Sequence, residues 1–236
     1  MGRIYRAIVP GYPHHVRNGG YRLFIGPGRC QKYLRLVSEQ FQRHEISVLA
    51  WCLMPNHVHL VLVPTRADSL SRVLGTAHRR YARFVNDQLG LKRHAVFAGR
   101  FGACALDGDH LLAAARMAEM DPVRAKLVKQ PEDWQWSSAQ FHLGLGERDW
   151  LVRRRELPAR VADWREWLER AEPALERRVR ECTASGRPAG SRRFILRAAM
   201  HIRKKLKKRR PGPKPHAWTF EEKLWLKWAL WNQEHG

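Results

Sequence analysis

Two histidines separated by one valine, His57-Val58-His59, sit inside the run Met54-Pro55-Asn56-His57-Val58-His59-Leu60-Val61-Leu62-Val63-Pro64. The residues after Pro55 are apolar and β-branched, which predicts a strand. Side chains two apart on a strand leave from the same face, roughly 7 Å apart along the backbone. Two imidazoles so placed can converge on one divalent cation, which then needs a further ligand from elsewhere. One histidine in a strand is ordinarily a packed or surface residue; the pair is what points to a metal. By itself the pair fits a phosphodiesterase, a nuclease or a lyase. The chain carries 44 Lys and Arg against 22 Asp and Glu, a net charge of +22, and that balance favours a phosphodiester as the group such a cation would meet.

A chain of 236 residues can form one large domain or a domain with an appendage, and 44% hydrophobic residues suffice for a core. A pI near 10.9 implies a polyanionic partner, most simply nucleic acid bound with a steep salt dependence; an anionic membrane surface is the alternative. No apolar run is long enough to span a bilayer, and Met1-Gly2-Arg3-Ile4-Tyr5-Arg6 lacks the apolar core of a signal peptide. Cys30, Cys52, Cys104 and Cys182 are scattered, with no Cys-x-x-Cys. They read as buried or free thiols in a reducing compartment. The expectation is a soluble, cytoplasmic protein with no membrane partner.

The elements that must position the histidines follow from periodicity. A strand is expected over 12–18, carrying His14, His15 and Val16; on adjacent positions only one of these two histidines can share a face with the site. After the turn at Gly26-Pro27-Gly28, the spacing of Tyr33, Leu34, Leu36, Val37 and Phe41 predicts a helix. Ile46–Cys52 reads as a strand forming a hairpin with the His-x-His strand. A helix over 69–88, with Asp68 as its cap, carries Leu70, Val73, Leu74, Ala77, Tyr81, Phe84 and Val85. Phe101–Leu106 is a fourth strand, and a helix over 109–120 stops before Asp121-Pro122. The order β-α-β-β-α-β-α is α+β, a ferredoxin-like antiparallel sheet with helices on one face, assigned to residues 1–145. Residues 146–236 read as a basic, mainly helical extension: a helix over 160–182 broken near Pro173, a basic helix capped by Ser191, the run Arg203, Lys204, Lys205, Lys207, Lys208, Arg209 and Arg210, and a last helix from Thr219 with Glu222 in capping-box spacing and Trp225, Trp228 and Trp231.

Several stretches together resemble the REP-associated tyrosine transposases, of the HUH superfamily of single-strand DNA transposases and relaxases. They are Pro10-Gly11-Tyr12-Pro13-His14-His15-Val16, Cys52 to Leu60, Arg79-Arg80-Tyr81-Ala82-Arg83-Phe84, Gly99-Arg100-Phe101, Asp121-Pro122-Val123-Arg124-Ala125 and Trp134-Gln135-Trp136-Ser137-Ser138, in the family's order over residues 1–140. Gly186-Arg187-Pro188 to Phe194 is similar to a tail seen in some members. The resemblance implies an HUH domain in which His57, His59 and a polar residue on the last helix hold Mg²⁺ or Mn²⁺. A tyrosine one helical turn before that residue would attack the scissile phosphate, leaving a 5′-phosphotyrosine on single-stranded DNA.

This chain departs from that pattern. Its helix reads Arg116-Met117-Ala118-Glu119-Met120-Asp121-Pro122-Val123, with Met117 at the tyrosine position and Asp121 at the asparagine position. A carboxylate is a good hard ligand, but a thioether cannot form a phosphotyrosine, so strand transfer by that route is impaired. The last tyrosine in the chain is Tyr81, an alternative nucleophile weighed against a packing or DNA-contact role. Glu119 is expected to point off the ligand face. Arg79, Arg80 and Arg83, and the basic run from Arg203 to Arg210, are candidate phosphate contacts. The leading expectation is a transposase-family protein that recognises single-stranded or hairpin repeat DNA, as a monomer or homodimer. A domesticated, non-enzymatic DNA-binding or regulatory protein is the alternative, and a structured-RNA binder shares the charge pattern.

Overall fold

The computed structural model describes residues 6–92 and 94–201. The chain runs β1 (His14–Gly19), α1 (Pro27–Arg43), β2 (Ser47–Met54), β3 (His57–Val63), α2 (Ser69–Gln88), β4 (Gly102–Ala105), α3 (Gly108–Glu119), α4 (Asp121–Arg124), α5 (Ala139–His142), α6 (Trp164–Glu169), α7 (Pro173–Ser185) and α8 (Arg192–His201). The four strands form one sheet in the order β2-β3-β1-β4, antiparallel at every junction. This is the expected ferredoxin-like α+β arrangement. Helix α2 spans the residues its periodicity suggested, although Asp68 makes no side-chain cap bond and instead pairs with Arg66 at 3.7 Å and Arg72 at 3.5 Å. The break near Pro173 separates α6 from α7, and the Ser191 hydroxyl caps α8 by accepting from the Phe194 N–H at 3.3 Å. The expected run Arg203–Arg210 and the tryptophan helix lie outside the described residues.

Alternation along β3 divides the molecule into two cores. Val58, Leu60 and Leu62 face α1 and α2, where they pack with Tyr33, Leu34, Val37, Leu70, Val73 and Tyr81. That is the helical face read from the sequence. The opposite face is covered as well: Val61 and Cys104 pack with Leu111, Ala114 and Ala115 of α3 and with Val179 and Cys182 of α7. A bulge between Val48 and Ala50 shifts the phase of β2, so that Trp51 and Leu53 join the first core and Ala50 the second. All four cysteines are buried and unpaired. No helix among the described residues is long and apolar enough to cross a membrane.

One buried polar cluster anchors α3. Residues 134–138 lie along β2: Trp136 O accepts from Leu53 N–H at 2.8 Å, and Trp134 Nε1–H donates to Leu53 O at 3.0 Å. From this segment the Ser138 hydroxyl donates to Glu119 Oε1 at 2.5 Å, His142 Nδ1 lies 2.6 Å from the same oxygen, and Trp164 Nε1–H donates to Glu119 Oε2 at 3.0 Å. Glu119 is fully buried and points away from the histidine pair, as its position on the helix requires. A buried carboxylate is tolerated only when its oxygens are satisfied in this way.

His14 and His78 are buried neutral rings. His14 Nε2 accepts from Val9 N–H at 3.0 Å and its Nδ1–H donates to Tyr12 O at 2.7 Å. Burial pulls both histidines down from 6.5 to about 4, a drop that backbone hydrogen bonds at His14 only partly offset. A ring that stays neutral when folded but protonates when unfolded contributes its full stability above pH 6.5 and loses it as pH falls toward 4. The unfolding free energy in urea should therefore drop between pH 7 and pH 5 by about 2 kcal/mol per ring. Equal values at the two pH points would contradict this reading.

Candidate metal centre and nucleic-acid cleft

One rung across the sheet builds the site. Cys52 of β2 pairs with His59 of β3, His59 with Arg17 of β1, and Arg17 with Gly102 of β4, so all four side-chain directions share the face covered by α3 and α7. His57 lies two residues before His59 on the same face. The turn after α3 brings Asp121 to them: its Oδ2 lies 2.8 Å from His57 Nε2 and 3.4 Å from His59 Nε2, and the two Nε2 atoms are 3.0 Å apart. These three residues could hold a metal ion, with their ligand atoms all within 4.8 Å of one another.

The partners behind the ligands support that reading. Asn56 Oδ1 lies 2.7 Å from His57 Nδ1 and can only accept, so the hydrogen sits on Nδ1 and the Nε2 of His57 is turned to Asp121. Arg124 donates to Asp121 Oδ1 at 3.2 Å and to the Met117 carbonyl, which leaves Oδ2 to the histidines. Burial alone would raise the Asp121 carboxyl, but the two imidazoles facing it hold it well below the usual carboxylate range. Burial pulls His59 down to about 4, partly offset by the Asp121 carboxylate beside it. A neutral imidazole beside an ionised carboxylate is the protonation state a hard divalent cation needs.

Around this centre lies a cleft of about 790 Å³. Arginines from five segments line it: Arg6, Arg17, Arg100, Arg124 and Arg180; among the described residues Asp121 is its one acid. Arg6 rests on the Phe101 ring at 4.1 Å, and Arg180 leans on Glu176 at 3.6 Å. Met117 lines the same cleft as the three candidate ligands while remaining 1% exposed, with its side chain in the α3 core.

The other sequence-derived candidates fall elsewhere. Tyr81 is not at this cleft: it sits in the core beneath the opposite face, fully buried, its hydroxyl donating to Leu23 O at 2.7 Å. Burial drives its ionisation well above the ordinary 10. A phenol held in this way is a packing residue, not a nucleophile for the site. Arg79, Arg80 and Arg83 line none of the cleft. Arg79 bonds Thr76 on its own helix at 3.3 Å, Arg80 pairs with Glu39 at 2.8 Å, and Arg83 is exposed. Of the two adjacent histidines, His15 faces the site and His14 the core. Sequence reasoning missed the cleft arginines. Arg17 was within reach, since it stands two residues after His15 on one strand face, and Arg124 follows Asp121 by one helical turn. Arg6 and Arg180 carry no local signal.

Comparison with known proteins agrees with this geometry. Residues 12–116 match the family model described as "Transposase IS200 like". Over these residues the chain is similar to the IS200-like transposases. The fold is similar to that of a REP-associated tyrosine transposase solved bound to a REP hairpin, with a TM-score of 0.53 at 18% identity, covering 65% of this chain and 92% of that one. No curated protein matches the chain. The matched family segment contains His57 and His59 and stops before Met117 and Asp121, so the third ligand and the methionine position rest on the geometry above. Replacing His57 or Asp121 by alanine should weaken Mn²⁺ binding in isothermal titration on the order of 100-fold; affinity equal to the parent protein's would remove the site.

Proposed function

We propose that this protein binds single-stranded or hairpin-forming DNA in the arginine-lined cleft, as a relative of the REP-associated transposases whose phosphotyrosine chemistry is blocked at Met117. The observation that carries the reading is the joint placement of His57, His59, Asp121 and Met117 on one basic cleft. Mg²⁺ or Mn²⁺, when bound by the three ligands, supplies Lewis-acid polarisation of a phosphate oxygen. The cleft arginines hold the backbone on either side, and Arg124 keeps the Asp121 carboxylate turned to the histidines. Covalent cleavage in this family style needs an oxygen nucleophile to attack phosphorus while the 3′ oxygen leaves. A methionine thioether at position 117 offers no such oxygen, and Tyr81 is out of reach. The reading that follows is a DNA-binding descendant with a retained metal centre. Residues 146–236 extend it, the run Arg203–Arg210 adding sequence-independent affinity for phosphate.

The experiment incubates the full chain with labelled single-stranded hairpin DNA and Mn²⁺ and scores bound complex and covalent adduct together. The parent protein should bind without adduct, and Met117→Tyr should gain a denaturation-resistant protein–DNA species. An adduct with the parent protein would overturn the proposal. Separately, Arg17→Gln and Arg100→Gln should each flatten the slope of log affinity against log salt by about 1; an unchanged slope would place the DNA elsewhere.

A further inference from the structure

A chain of hydrogen bonds runs from the candidate ligand His59 through β1 to a helix outside the family-matched segment. His59 Nδ1 lies 2.8 Å from His15 Nε2, His15 Nδ1 lies 2.7 Å from Thr183 Oγ1, and Thr183 Oγ1 donates to the carbonyl of Val179, one turn back on α7, at 2.8 Å. The direction of every proton in this chain follows from its far end. A carbonyl can only accept, so the one hydroxyl hydrogen of Thr183 goes to Val179 O. Thr183 Oγ1 must then accept from His15, which places the single hydrogen of that fully buried ring on Nδ1. His15 Nε2 is left with a lone pair, and it can only accept from His59. The hydrogen of His59 is thereby fixed on Nδ1, and its Nε2 lone pair faces His57 and Asp121. The Cys104 thiol, 3.2 Å from Thr183 Oγ1, is compatible as a second donor to that oxygen.

The placement of α7 is built for this contact. Thr183 reaches His15 because α7 lies directly on β4, and it does so over Gly102: a Cβ at that position would come within 2.7 Å of the Thr183 carbonyl oxygen. His15 and His59 meet edge to edge along this bond, with ring centroids 5.1 Å apart. A metal ligand whose ring is fixed in one tautomer binds without first moving a proton, and outer partners of this kind are worth about 10- to 100-fold in metal affinity.

We propose that Thr183, acting through His15, is a positioning residue that locks His59 in the Nδ1–H tautomer and so readies its Nε2 to bind a divalent cation. The proposal rests on His59 being a metal ligand, as argued above, and the test separates the two. Full-length protein is titrated with MnCl₂ alone by calorimetry, and its histidine tautomers are read without metal by ¹⁵N–¹H NMR of the imidazole rings. Thr183→Val, which removes the hydroxyl and keeps the shape, should weaken Mn²⁺ binding about tenfold or more and release the His59 ring to both tautomers. Thr183→Ser should restore both readouts.

Mn²⁺ affinity unchanged in Thr183→Val would overturn the proposal, and so would an Nε2–H tautomer at His59 in the parent protein. If Thr183→Val does not fold, the parent spectrum still decides. If the parent binds no Mn²⁺, the metal-centre reading fails on its own, and the tautomer measurement then reports whether the lock exists.

Discussion

Strand β3 must satisfy two different faces at once, and the site depends on that constraint. Its even-numbered residues, Val58, Leu60 and Leu62, are committed to the core under α1 and α2. A one-residue slip would turn them to the opposite face and the histidines into that core. The apolar face therefore fixes the register, and the register sets His59 opposite Arg17 and beside Cys52. From that rung the rest follows: His57 two residues away, His15 diagonally across on β1, and a floor for α3 and α7. The candidate metal centre is thus held on sheet and helix elements whose positions are paid for by burial elsewhere in the domain.

Much of this was legible in the chain. Helix α2 and the His-x-His strand follow from hydrophobic periodicity, because each has one buried face and a local pattern that repeats. The candidate ligands on β3 follow from spacing, and Asp121 from resemblance to a family motif. What was not legible is what depends on chain segments far apart in sequence. Thr183 stands 168 residues from His15, in a helix whose local pattern says only that it is amphipathic. The second helical layer escaped for the same reason: α7 meets β4 through the absence of a side chain at Gly102, and a lone glycine does not name its neighbour. Tyr81 shows the converse. Its chemistry made it worth considering, and only the three-dimensional placement shows a phenol spent on packing.

Binding a phosphate backbone needs positive charge and a groove, which the arginines supply without reference to position 117. Breaking and rejoining the backbone needs an oxygen nucleophile aimed at the same point. Met117 contributes an apolar side chain to the α3 core. The candidate ligands His57, His59 and Asp121 each have a second polar group beside them: Asn56, His15 and Arg124 respectively.

The most direct measurement is anomalous diffraction from crystals of the full chain grown with Mn²⁺. The account expects one strong peak between His57 Nε2, His59 Nε2 and Asp121 Oδ2, with His15 and Thr183 still bonded behind His59. No peak there, in protein that binds hairpin DNA, would contradict the central claim that this fold keeps a metal centre in its nucleic-acid cleft.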